Sequence, residues 1–306
     1  MKVFVTGATG FIGSYVLEQL QASGYTVRCL VRGHAPEGVE SVRGDVTEPA
    51  TLGGTMDGCG AVIHLVGIIK EKRAQGITFE LLHTEATGNV VQEARRAGVE
   101  RFVHMSANGA APDGVSRYQV TKWQAEELVR AAGFTHWTVL CPGLVFGRPA
   151  PGTTEFCTHL ACILSLPLPV VPLFGKGDFR LQPVSASEVA AALVQAITRD
   201  AVHSRRITAV GRESLTYRDA IDRITQALGR RPRAKMTLPP ALVRAAIKRF
   251  DRLGIVPITL DQFDMLIRGN TGDPSLFYQS FDLTPQPFTL QNLCYLRRRV
   301  QDRCCK

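Results

Sequence analysis

The chain has 306 residues, 45% of them hydrophobic and 21% charged. That balance excludes a disordered or low-complexity protein and allows one large domain with a smaller one beside it. The net charge of +9 is placed late: residues 229–252 hold eight Lys or Arg against one Asp, and 297–306 hold five against one, so the rest of the chain is close to neutral.

In chain order, residues 2–6 (KVFVT) read as a first strand, so no export or transit segment is expected ahead of them. Five apolar runs have strand character: KVFVTG, TVRCLVR, AVIHLVG, RFVHMSA and WTVLCPG. Each is followed by a stretch with helical periodicity, as in IGSYVLEQLQASG and GNVVQEARRAG, both closing on Gly. Such alternation predicts an α/β protein with a parallel sheet covered by helices on both faces. RITAVG (206–211) reads as a late strand returning to that sheet. Residues 148–178, rich in Pro and apolar side chains, and 216–306, read as helices and loops, break the alternation and are expected to form a smaller lobe at the sheet's C-terminal edge.

One segment of that lobe, FCTHLACILSLPLPVVPLFG (156–175), has no Lys, Arg, Asp or Glu over 20 residues, long enough to span a bilayer. Pro167, Pro169 and Pro172 would break such a helix, so a short helix followed by an extended segment is expected instead. The eight cysteines include no C-x-x-C pair, and the spacing of Cys157 and Cys162 fits no common zinc pattern. Reduced thiols in a cytosol-like compartment, and no bound metal, are the expectation.

The first strand runs into VTGATGFIGSYV, where Gly7, Gly10 and Gly13 open a helix. Glycines there let the backbone turn sharply and approach a pyrophosphate, which the free amides and partial positive charge of the helix N-terminus would hold. Thr9, Phe11 and Ile12 lie in the same turn. The expected organisation is therefore a dinucleotide-binding, Rossmann-type doubly wound sheet over 1–148, with 179–215 returning to it, and a smaller C-terminal α+β substrate lobe from 149–178 and 216–306. At the end of the second strand Val31 stands where an NAD site usually has an acid, and Arg32 follows. A guanidinium favours a 2′-phosphate, so NADP(H) is favoured over NAD(H). Asp45 and Val46 after the third strand are expected near the adenine. Leu65, Val66 and Gly67 end the fourth strand, with glycine where a side chain would crowd the cofactor.

Tyr118 and Lys122 are four apart in YQVTKWQAEELVRAAG, a spacing that puts both on one helix face. A tyrosine with pKa ~10 is a poor acid–base group near neutrality, and a nearby ammonium would lower that value. The alternative is an ordinary surface pair, with Lys122 bonded to Glu126.

TGATGFIG, GDVTEP, RFVHMSA, the Y-x-x-x-K pair, CPGLVFG and QPVSASEVA together resemble the extended and atypical short-chain dehydrogenase/reductases, in order along the whole chain. VIHLVGIIKE (62–71) and ITLDQFDMLIRGN (258–270) are similar to the branch holding the NAD(P)H-binding accessory subunit of respiratory complex I and its bacterial relatives. The resemblance implies cofactor contacts also from Tyr118, Lys122, Pro142 and Leu144, and a catalytic Ser with the Tyr–Lys pair. The alignment puts Ala107 at that Ser position. A shift of one residue brings in Ser106, which stays the candidate hydroxyl, although the period of two would send it to the opposite side. The family's Asn and Arg positions carry His83 and Cys141.

In 240–252, Arg244, Lys248 and Arg252 form one helical stripe, with Leu242, Val243, Ala246, Ile247 and Phe250 broadly opposite. Such a helix suits an anionic membrane surface as well as a solvated lobe face. Nucleic acid is not expected, since no aromatic stacking platform accompanies the charge. Three functions follow: an NAD(P)H-binding protein associated with the respiratory chain or a quinone pathway, peripheral on a membrane's inner face and weakly catalytic or inactive; an NADP-dependent reductase, epimerase or dehydratase for a sugar nucleotide or other small carbonyl compound; and a redox-sensing regulator.

Overall fold

The computed structural model describes residues 1–167, 169–250 (without the Phe250 side chain) and 258–297. Arg252 and the tail bearing Cys304 and Cys305 lie outside the described residues. The first half gives β1 (Lys2–Thr6), α1 (Phe11–Ala22), β2 (Thr26–Val31), β3 (Glu40–Arg43), β4 (Ala61–His64), α2 (Ala86–Arg96), β5 (Arg101–Met105), α3 (Arg117–Ala131) and β6 (His136–Pro142). There follow β7 (Val145–Phe146), α4 (Phe156–Ser165), β8 (Val170–Phe174), β9 (Arg180–Leu181), β10 (Val184–Ser185), α5 (Ala186–Gln195) and β11 (Arg205–Ala209). The remainder is β12 (Leu215–Thr216), α6 (Tyr217–Ala227), β13 (Ala234–Leu238), α7 (Pro240–Phe250), α8 (Leu260–Arg268) and α9 (Ser275–Ser280).

Seven parallel strands form the main sheet in the order β11-β6-β5-β4-β1-β2-β3. The order reverses between β1 and β4, and doubly wound sheets bind ligands at the C-terminal ends of the strands beside such a reversal. Alternation along each strand feeds two cores. Val3, Val5, Ile63 and Val103 pack with α1 and α5 on one face. Phe4, Val62 and Phe102 pack with α2 and α3 on the other. Thr6, His64 and His104 follow the second set and lie fully buried under those two helices.

Sequence and structure differ in three places. No helix follows β2: the chain passes directly to the short β3 and a 3-10 turn at Pro49–Thr51. A π-turn, Glu80–Glu85, precedes α2 without a break. And α9 does not join the small lobe, because Phe277 and Phe281 bury themselves in the α1/α5 core. The small lobe is built on a separate cluster from α4, α6 and the β8–β13 ribbon, including Leu160, Leu173, Ile221, Ile224 and Leu296. The uncharged 156–175 stretch divides into α4, of ten residues, and β8, as its prolines require. No helix among the described residues is long and apolar enough to cross a membrane.

Candidate dinucleotide and Tyr–Lys site

Because all the strands run parallel, the ends of β1, β2, β4, β5 and β6 come to one edge, and with them Gly7, Arg32, Leu65 to Gly67, Ser106 and Pro142 to Leu144. Gly7 has φ +75°, and a Cβ there would stand 3.1 Å from the Leu65 carbonyl carbon. A Cβ on Gly13 would lie 2.6 Å from both the carbon and the oxygen of the Ala8 carbonyl, and closer still to the Gly7 oxygen. The start of α1 therefore presses directly on the turn, which only glycine allows. Gly10 is the N-cap residue and brings no side chain to the first amides of α1, leaving the backbone cradle a pyrophosphate needs. Thr9 is exposed over this turn, and Ile12 is buried beneath it.

At the end of β2 the Arg32 side chain is 77% exposed, with Nη1 3.6 Å from Asp45 Oδ2. Asp45 Oδ1 accepts from Thr47 N and Oγ1, both at 2.9 Å. The carbonyl of the buried Val46 takes a 2.9 Å bond from Asn89 Nδ2. The guanidinium and carboxylate expected at the adenosine end thus stand as a pair.

The other half of the site forms around α3, capped by Ser116, whose hydroxyl accepts from Gln119 N. Tyr118 lies edge-on to His83 and Phe79, with ring centres 5.2 and 5.7 Å away. Lys122, buried, donates from Nζ to Met105 O at 2.6 Å. A Cβ on Gly67 would lie 3.5 Å from His83 Nε2 and 3.8 Å from Lys122 Nζ, so glycine there keeps the space over both groups open. His83 is held on both sides: Nδ1 is 2.8 Å from Thr121 Oγ1, and Nε2 is 3.0 Å from Ile68 O. Burial pushes its pKa down to about 3, so it is a neutral ring that positions the Gly67–Ile68 segment. Leu144 N is fixed by Asn270 Oδ1 at 3.0 Å, and Pro142 O accepts from Asn108 N at 2.8 Å.

The alternative of a surface pair and the expectation of a lowered phenol both differ from the structure. Lys122 does not pair with Glu126 as surface neighbours would. Glu126 is fully buried and takes Arg206, Nε to Oε2 at 2.7 Å, while Lys122 turns to the strand carbonyl. Nor is Tyr118 lowered by the ammonium: burial pushes the phenol up to about 12, and burial brings Lys122 down to about 8. Ser106 is turned to the buried Glu126 of α3. Its hydroxyl donates to Glu126 Oε1, and Cys141 Sγ lies 3.5 Å from the same oxygen. Ala107 follows it at the strand's end, largely buried. The Glu126–Arg206 pair escaped sequence reasoning: its only signal is a Glu one turn beyond Lys122, and its partner is 80 residues away.

The glycine cradle beside β1 and the open space over Lys122 fit a nicotinamide dinucleotide, and with the reversal of strand order they define the extended short-chain dehydrogenase/reductase class, whose members are NAD(P)-dependent. Residues 3–211 match the NAD dependent epimerase/dehydratase family, and the chain belongs to it. It is 28% identical to the ceramide reductase of Caulobacter vibrioides, over 79% of this chain and 75% of that one. It is 26% identical to the mitochondrial NADH dehydrogenase [ubiquinone] 1 alpha subcomplex subunit 9 of Arabidopsis thaliana, over 92% of this chain and 73% of the relative. In fold it is similar to MoeE5 in complex with UDP-glucose and NAD, with TM-score 0.76 and 21% identity, over 99% of this chain and 100% of the other.

Proposed function

We propose that this protein binds a nicotinamide dinucleotide, NADP(H) in preference to NAD(H), and serves a respiratory-chain or quinone-pathway assembly on the inner face of a membrane, with weak or no turnover. The observation that carries this reading is the state of the Tyr–Lys site. Ser106, the candidate hydroxyl, is engaged by buried Glu126, and the neighbouring position is alanine. Burial also pushes the Tyr118 phenol above its ordinary value, which disfavours the phenolate. Loss of a donor for developing charge costs about 3 kcal/mol of barrier. The groups that would hold the cofactor are intact: Gly7, Gly10 and Gly13 at the pyrophosphate, Gly67, Pro142 and Leu144 along the nicotinamide side, and Lys122 toward the ribose. When bound, the cofactor supplies a hydride donor or acceptor. The likeness to the NADH dehydrogenase subunit supports the choice of assembly.

The second reading is an NADP-dependent reductase, epimerase or dehydratase, favoured by Tyr118 and Lys122 standing on the same face of α3 beside open Gly67. Its catalytic group would be Tyr118, with Lys122 holding it. The likeness to a ceramide reductase widens the candidate substrates from sugar nucleotides to long-chain carbonyl compounds.

Titration of NADPH and NADH by coenzyme fluorescence separates these points. NADPH is expected to bind more tightly than NADH, and Arg32→Ala to weaken NADPH by about tenfold while sparing NADH. Equal binding of both, unchanged by Arg32→Ala, would remove the 2′-phosphate assignment. Steady NADPH oxidation with any carbonyl compound, abolished in Tyr118→Phe, would replace the first reading by the second.

A further inference from the structure

Two stretches that the nucleotide site leaves unused, the uncharged 156–175 and the basic run that begins at 229, lie side by side in the small lobe. After α4 the chain emerges with Leu166 50% exposed and Pro167 and Pro169 exposed. Parallel pairing of β13 with β8 sets Ala234 beside Val170 and Met236 beside Pro172. Val171 and Leu173 point into the lobe core, so these four residues share the outer face, where Met236 is 49% exposed. Arg233 Nη1 donates to Leu166 O and Arg230 Nη1 to Ser165 O, both at 2.8 Å, which fixes two guanidiniums beside the aliphatic exit of α4. From the end of β13 runs α7. Its apolar residues divide: Ile247 is buried and Val243 half-buried, while Leu242 (67% exposed), Ala245 and Ala246 face outward with Arg244, Lys248 and Arg249. The apolar set read opposite the cationic stripe is thus split between the lobe and the outer surface. Residues 230–249 hold seven Lys or Arg and no Asp or Glu, and Asp222 and Asp264 from outside the segment pair with Lys235 and Arg244.

We propose that this face docks on the surface of an anionic lipid bilayer, with Leu166, Met236 and Leu242 entering the acyl boundary and the cations meeting phosphate headgroups. The inference rests on the membrane location proposed above and gives it a surface. Water offers no favourable place for three large aliphatic side chains raised from three separate elements. A headgroup layer accommodates both these and the interleaved cations without a partner of matching shape. The 11 residues of α7 extend ~16 Å, too short to span the hydrocarbon core, so the helix would lie along the interface.

Co-sedimentation of the full chain with phosphatidylcholine vesicles, with and without phosphatidylglycerol, tests this. Binding is expected to the phosphatidylglycerol vesicles, to fall with added salt, and to drop by roughly tenfold in a Leu166→Asp/Met236→Asp/Leu242→Asp variant and in Arg231→Glu/Lys248→Glu. Each variant should keep its NADPH affinity, which also shows that it folds. No binding at low salt, equal binding to pure phosphatidylcholine, or variants that sediment like the parent would overturn the proposal. So would capture of an acidic protein through these residues by a chain that ignores vesicles. Loss of NADPH binding with vesicle binding intact would instead count against the nucleotide reading alone.

Discussion

A single missing methyl group decides whether the nucleotide turn can form. A Cβ at Gly13 would lie 2.6 Å from two atoms of the Ala8 carbonyl, and backbone on both sides leaves nothing flexible to yield. Gly13→Ala is expected to cost about 1–3 kcal/mol of stability by overpacking and to weaken NADPH binding at least tenfold. Gly10→Ala, whose Cβ would stand 3.2 Å from Gly7 O, should fold more nearly as the parent does, its cost falling on NADPH affinity alone. Equal melting temperatures for the two variants would show that the α1–turn contact does not shape the site. The glycine spacing made this cradle legible beforehand, since the pattern states a backbone requirement. The direction of Ser106 was half legible: the strand's period of two turns it away from the nicotinamide, but the carboxylate that receives it lies on a helix 20 residues further on.

At the scale of elements, α3 joins three functions in two turns. Tyr118 and Lys122 serve the open edge, Glu126 anchors the helix to β5 and β11, and the amide of Arg117 reaches Asp261 of α8 at 3.1 Å, joining the small lobe to the helix start. Glu126 is fully buried with Arg206, Ser106 and Cys141 as partners. Removing one member of such a set strands the others. Glu126→Ala is expected to destabilise the protein by about 2–4 kcal/mol, the lower part of the range reflecting a half-buried Arg206. Glu126→Leu combined with Arg206→Leu should recover much of that loss in urea melts. A double variant no more stable than the single would show that the pair does not act as a unit. Among the elements, the strands and main helices were readable from periodicity, whereas the direct passage from β2 to β3 and the π-turn at His83 were not. Both depend on what the backbone packs against.

Across the whole molecule, three histidines, His64, His83 and His104, lie buried between the sheet and its covering helices. Burial holds His64 and His83 at about 3 and His104 well below its ordinary value, and both nitrogens of His104 lack a hydrogen-bond partner among the described residues. In the unfolded chain these rings titrate near ~6.5, so for His64 and His83 the unfolded state binds more protons between about 3 and 6.5. Stability therefore rises with pH across that window and is lost as pH falls through it, by roughly 2 kcal/mol for each of His64 and His83 at pH 5, with His104 adding in the same direction. His104→Phe should flatten the fall in melting temperature between pH 7 and pH 5. A fall as steep as the parent's would assign the acid sensitivity elsewhere. The sequence alone determined the principal strands of the sheet and the helices after β1, β4 and β5, the glycine turn, the Tyr–Lys spacing and the late basic charge, because each is a local pattern of spacing or composition. Only the tertiary structure decided which carboxylate receives Ser106, that Glu126 takes Arg206 and not Lys122, that α9 packs on the sheet, and that the aliphatic exit of α4 stands beside the basic strand. Those outcomes rest on burial and on contacts between residues far apart in the chain, where desolvation outweighs the preferences that neighbours in sequence express.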